Sequence, residues 1–177
     1  MPFIYSLKIP SDRLDYFKKN LNKILNKINN EAKIFIENNE IFLESEDSWL
    51  AYKLRKIVEA IGRGFEIEKA LLLLSDDYAF ESLSISDLIR SKRPNQLQRV
   101  RARVIGTQGR AKKNLEALGD CFIVVKGKTV SFISDIESVN DVREALEMLI
   151  RGSPHSKVYR FLEQRKKQRK FFSMLGR

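Results

Sequence analysis

Two glycines three residues apart, Gly106 and Gly109, lie between the apolar pair Val104-Ile105 and the basic run Arg110-Ala-Lys-Lys113. This stretch constrains the chain more than any other. Glycine enters left-handed backbone angles at no steric cost, and its missing β-carbon leaves the backbone open to close approach. The spacing predicts a sharp turn between two helices, with the amides of Thr107, Gln108, Gly109 and Arg110 pointing outward where the helix dipole favours an anion. Arg101, Arg103, Arg110, Lys112 and Lys113 add positive charge around it. From Arg90 to Lys113 there are nine basic residues and no acidic ones. A bare helix–helix connection with a solvated face is the competing reading, and that one-sidedness speaks against it. No Gly-Lys-Ser/Thr follows the glycines, so the loop does not match a nucleotide-hydrolase phosphate loop.

Charge is divided along the chain as well. Residues 1–89 carry 12 Lys and Arg against 15 Asp and Glu, whereas residues 90–177 carry 21 against 8. An excess confined to one half points to a polyanion partner, and without a long apolar run nucleic acid is favoured over membrane. The N-terminus lacks the basic-then-apolar order of a secretory signal, which places the protein in the cytoplasm. One cysteine, Cys121, and one histidine, His155, leave too few ligands for a structural zinc site or a disulfide framework. No metal, cofactor or catalytic constellation is expected, and the protein is read as a monomer that is not an enzyme.

Read in order, Phe3–Ile9 alternates as a strand, and Leu14, Phe17, Leu21, Ile24, Leu25 and Ile28 keep helical spacing. Lys33–Glu37 and Glu40–Glu44 form a strand pair turned at Asn38-Asn39. Leu50 to Ile61 is a second helix, for which Gly62-Arg-Gly64 supplies the C-terminal cap, and Glu66–Leu74 is a short third. In the second half a strand is predicted over Phe80–Ile85 and a basic helix over Arg110–Leu118; between them Gln96–Ile105 fits a helix period through Leu97, Val100, Val104 and Ile105 and a strand period through Val100, Ala102 and Val104, and is read as a helix. Cys121–Val125 and Thr129–Ile133 are strands joined through Lys126-Gly127-Lys128. Ser138-Val-Asn-Asp141 reads as a capping box for the helix that buries Val142, Ala145, Leu146 and Leu149. Leu54–Gly64 and Val142–Gly152 share Arg, Glu, Arg and Gly in register, 88 residues apart. We read a tandem repeat: a first unit over 1–76, a second over 77–152, and a basic helix or tail over 153–177.

Strand, helix, Gly-x-x-Gly, helix, strand, strand, helix resembles the type I KH domain, and Val104-Ile-Gly-Thr-Gln-Gly-Arg-Ala-Lys-Lys-Asn-Leu115 resembles its signature. The resemblance implies an α+β fold of two tandem KH-like units, each a three-stranded sheet packed by helices, plus the basic C-terminal helix. KH loops clamp a single strand of about four nucleotides. By resemblance the bases lie in a groove made by Ile105, Leu115, Ile123 and Val124, and the RNA-contacting set takes in Gly106, Thr107, Gln108, Gly109, Lys126 and Lys128. The first unit has no glycine before Gly62, hence no clamp, and is expected to brace the second or to bind protein.

The tail sharpens the resemblance. Arg151-Gly-Ser-Pro-His-Ser-Lys-Val-Tyr-Arg-Phe-Leu-Glu163 after tandem units is similar to archaeal relatives of the pre-rRNA processing factors called Partner of Nob. The chain departs from that family in its first unit, where many archaeal members keep a Gly-x-x-Gly. Membership implies a small-subunit assembly factor that binds single-stranded rRNA near its 3′ end, assists the rRNA 3′-end endonuclease and is linked to the alpha subunit of translation initiation factor two. His155 is open to RNA contact or to a packing role, Tyr159 and Phe161 to packing or base stacking, and Arg165–Lys170 reads as a phosphate-binding helix. A general KH RNA-binding protein and a protein adaptor for an acidic partner remain the alternatives.

Overall fold

The computed structural model describes residues 1–176; Arg177, the last residue of the tail, lies outside the described residues. Backbone contacts divide the chain into two units, Met1–Phe80 and Glu81–Arg177.

In the first unit β1 (Phe3–Leu7), β2 (Lys33–Glu37) and β3 (Glu40–Ser45) form an antiparallel sheet in the order β1-β3-β2. The β2–β3 turn carries Asn38 and Asn39 at φ 49° and 62°, the left-handed pair a two-residue hairpin needs. Ile41 and Leu43 point to one face and are fully buried there. α1 (Ser11–Lys27) and α2 (Ser48–Gly62) cover that face with Leu14, Phe17, Ile24, Leu54, Ile57 and Ile61. Asp47 caps α2 by accepting from the Trp49 amide at 2.8 Å. α3 (Ile67–Ala70) and a 3-10 turn over Leu71–Leu74 complete the unit.

β4 (Tyr78–Ser84) crosses the boundary after Phe80 into the second unit, which holds α4 (Ile85–Leu88), α5 (Pro94–Ile105), α6 (Arg110–Gly119), β5 (Cys121–Lys126), β6 (Thr129–Asp135), α7 (Val139–Ile150) and α8 (His155–Leu175). Its sheet order is β4-β6-β5, the same topology as in the first unit. β4 starts two residues before the predicted strand and stops before Ile85, because the Ser84 hydroxyl accepts from the Asp87 amide and opens a helical turn. α7 buries the four predicted residues, but the capping box does not form. The Ser138 hydroxyl donates to the Asp135 carbonyl at 3.1 Å instead. Asp141 is taken by Arg165 and Arg169 from α8.

The two units share a staple. Arg13 in α1 donates Nε to the Ile61 carbonyl at 2.7 Å and a terminal nitrogen to that of Phe65. Arg103 in α5 does the same to the carbonyls of Leu149 and Ser153, each 88 residues further on. Gly64 and Gly152 stand at φ 109° and 108° in the turns so held. The sequence repeat is therefore also a repeat of geometry. The first unit differs in one respect: α1 runs unbroken for 17 residues where the second unit has two helices and a loop.

Arg103→Ala is expected to lower the unfolding free energy by about 2 kcal/mol, since it removes the charged donor from the Ser153 carbonyl and leaves the Leu149 carbonyl with the Gly152 amide at 3.2 Å. Arg103→Lys should recover little of this, because one ammonium lacks the two-pronged geometry. Urea denaturation of the three proteins checks both outcomes.

Candidate nucleic-acid interface

The loop is built from the end of α5. Leu97, Val100 and Val104 bury one stripe of this helix, and the adjoining stripe of Pro94, Gln98, Arg101, Ala102 and Ile105 is left toward the outside. The helix stops at Gly106, whose amide donates to the Ala102 carbonyl at 2.8 Å and whose φ of 72° and ψ of 173° leave the helical region. A β-carbon on Gly106 would sit 2.6 Å from the Ala111 Cβ and 2.7 Å from its nitrogen. Gly109 also has positive φ, 73°, but has no atom within 4 Å of such a carbon. The two glycines thus serve different ends. Gly106 lets the protein's own α6 come close, and Gly109 only supplies the backbone angle.

Thr107–Gly109 forms a single 3-10 turn with Gln108 at φ 53°. The Gly109 amide donates to the Gly106 carbonyl at 3.1 Å, and the Arg110 amide to the Thr107 carbonyl. Two of the four amides expected to face an anion are therefore turned into the loop. A tight turn between two helices uses its own amides first, because a buried donor without a partner is costly. The side chains of Thr107, Gln108 and Arg110 are exposed.

Beside the loop a cleft of about 660 Å³ runs between α5 and the β5–β6 turn, with Lys92, Gln98, Arg101, Ile105, Gly127 and Lys128 among its walls. It has three cations and no carboxylate in its lining. Lys92 and Gln98 escaped the sequence reading; for Gln98 a signal was present, since positions 94, 98, 101, 102 and 105 form one helical stripe, whereas Lys92 precedes the helix.

Several expected site residues stand elsewhere. Arg103 spends its guanidinium on the Leu149 and Ser153 carbonyls, and its own carbonyl is 2.9 Å from His155 Nε2, so both residues hold α5 to the start of α8. Leu115 and Ile123 are 1% exposed and belong to the core. Val124, the next residue along an edge strand, points to the opposite sheet face. Of the four apolar groove residues, Ile105 alone lines the cleft. Lys112 is 4.0 Å from Glu116, and Lys113 is exposed on α6. Lys126 lies half-buried at the end of β5, and its carbonyl accepts from the Thr129 hydroxyl at 3.0 Å.

α8 is a helix through Leu175, anchored by buried Val158 and Leu162. Arg165 and Arg169 engage Asp141, and Lys166 engages Asp120 at 2.7 Å. Phe161 is half-buried with Arg165 over its ring, and Tyr159 meets His155 edge-on. Burial first, then the charges of Glu116 and Asp120, push the Cys121 thiol up to about 12, which leaves it inert at neutral pH. Among the described residues no group of three metal-ligating side chains occurs, and no helix is long and apolar enough to cross a membrane.

Residues 82–167 match the family model of the eukaryotic-type KH domain (KH-domain type I), in the form for the second KH domain of Partner of Nob. Over 172 residues the chain is 36% identical to a KH domain-containing protein of Methanocaldococcus jannaschii, covering 92% of this chain and 74% of that one. The chain belongs to the Partner of Nob family of KH-domain ribosome-assembly factors. It is similar in structure to Dim2p of Pyrococcus horikoshii, at 36% identity and a TM-score of 0.80 over 92% of this chain and 99% of that one. A second structure of that protein, a complex of a/eIF2alpha, aDim2p and rRNA, superposes with a TM-score of 0.83 over 95% and 96%. A protein of unknown function from Aeropyrum pernix reaches 0.91 at 28% identity, over 99% and 97%. Membership in this family makes the chain an RNA-binding KH protein of ribosome biogenesis and rRNA processing.

The unequal glycines yield a test. Gly106→Ala is expected to destabilise the second unit by about 3 kcal/mol or more, as overpacking adds to a left-handed backbone. Gly109→Ala should cost only about 1–2 kcal/mol, the backbone term alone. Thermal melts of both variants decide the order.

Proposed function

We propose that the second unit clamps single-stranded small-subunit rRNA near its 3′ end, and that this positioning is the protein's contribution to rRNA maturation. The observation that carries the reading is the Gly106–Gly109 turn beside a cleft walled by Lys92, Arg101 and Lys128 and free of lining carboxylates. Thr107, Gln108 and Arg110 meet the backbone, Lys112 and Lys113 extend the positive rim along α6, Lys126 and Lys128 close the far side, and Ile105 meets a base. Phosphate contacts of this kind supply affinity and register. The P. horikoshii complex of aDim2p with a/eIF2alpha and rRNA supports two partners for this chain as well. The first unit, acidic and with α1 in place of the clamp, is the one assigned to protein docking. No chemical step is assigned to the protein; the endonuclease that trims the rRNA supplies it.

Thr107→Asp combined with Gln108→Asp places two carboxylates at the clamp. A fluorescence-anisotropy titration with a 3′-end rRNA oligonucleotide is expected to show at least a hundredfold loss of affinity while the melting temperature holds. Wild-type affinity in that double variant would overturn the clamp.

Salt dependence tests the tail. Three cations of Arg165–Lys170 are already in ion pairs, leaving Lys167 and Lys170 exposed. Deleting residues 164–177 is expected to make the slope of log affinity against log salt shallower by about 1.4, the value for two contacts to a single strand. An unaltered slope removes α8 from the RNA surface.

A further inference from the structure

Glu116 is the one acidic residue between Arg90 and Gly119, and its position is specific. β5 is an edge strand, and the Ile123 amide faces away from β6 to donate to Glu116 Oε1 at 2.8 Å. The alternation of an antiparallel ladder puts the Ile123 carbonyl and both backbone groups of Val125 along the same rim. That rim leads to Gly127 and Lys128, which line the cleft. In the other direction Glu116 lies six residues along α6 from Arg110 at the loop, about 9 Å of helical rise. The carboxylate therefore sits between the loop that holds phosphates and the strand edge that borders the cleft.

A negative charge there lowers phosphate affinity, because it opposes the field of the surrounding cations. Capping the amide of Ile123, a residue only 1% exposed, occupies a single oxygen of the carboxylate. A carboxylate accepts at up to four positions and donates at none. One position is taken by Ile123, Lys112 is a loose 4.0 Å away, and the side chain keeps 25% of its surface. What remains is a fixed, acceptor-only group where a base edge can reach it.

We infer that Glu116 reads a base in the clamped strand, accepting from the N4 amino group of a cytosine and rejecting the O4 carbonyl of a uracil. Carboxylate-to-cytosine N4 pairing follows from the donor and acceptor pattern of the base. The inference rests on the RNA clamp proposed above and adds a specificity to it. Glu116 acts on base identity, whereas the loop acts on backbone affinity.

The Gln variant separates the readings. In Glu116→Gln the side-chain oxygen can keep the Ile123 amide, leaving an NH₂ group that donates to O4 of uracil and clashes with N4 of cytosine. The experiment is an anisotropy series of uridine hexanucleotides bearing one cytidine at each successive position, titrated with wild type, Glu116→Gln and Glu116→Ala. Wild type is expected to favour cytidine at one position by about tenfold or more, the scale of one hydrogen bond to a charged group. Glu116→Gln should reduce that ratio to unity or invert it, and Glu116→Ala should abolish it. A wild type without such a position, or ratios unchanged in both variants, overturns the inference while leaving the clamp intact. Failure of wild type to bind any hexanucleotide overturns both.

Discussion

The contact between Gly106 and Ala111 is the one on which the second unit's surface depends. A β-carbon at Gly106 would lie 2.6 Å from that of Ala111, so the backbone itself is what α6 packs against. This contact sets the direction of α6 relative to α5, and with it the exposure of Thr107, Gln108 and Arg110. It also leaves the turn to satisfy two of its own amides. The positive character of the site consequently rests more on side-chain charge than on a bare helix N-terminus.

The repeat shows one fold built with two different surfaces. Arg13 and Arg103 hold equivalent carbonyls in the two units, and the left-handed turns at Gly64 and Gly152 match. Between staple and sheet the units part company: α1 is continuous in one, and the glycine turn interrupts the other. Core and staple can be shared because they answer to packing. The interruption is found only in the basic unit.

Charge divides in a similar way. Of the cations in the basic half, Arg103, Arg143, Arg165, Lys166 and Arg169 are bound to carbonyls or carboxylates within the second unit. Arg101 and Lys128 line the cleft, and Arg110 and Lys113 are exposed on the loop and α6. The net charge of +10 therefore overstates what is available to a polyanion. A basic residue counts toward a partner only where the fold leaves it without an internal acceptor.

Periodicity and turn chemistry made most of the fold legible: the apolar stripes of α1, α2 and α7, the Asn38-Asn39 hairpin, the Gly-x-x-Gly turn and the 88-residue repeat. These are local signals, encoded in residues close together along the chain. The roles of individual side chains at the site were not legible in the same way. Arg103 and Arg101 are two residues apart in one basic run, yet the first staples α5 to the Leu149–Ser153 turn and the second lines the cleft. Ser138 and Asp141 match a capping box, yet Asp141 serves α8. Glu116 gave no sign in sequence that it would meet the Ile123 amide. The sequence by itself determined the elements, the repeat and the loop, because backbone preference and hydrophobic spacing are properties of short segments. Only the tertiary structure decided which charges are held by the fold and which are left exposed, because that depends on what distant residues bring within hydrogen-bond reach.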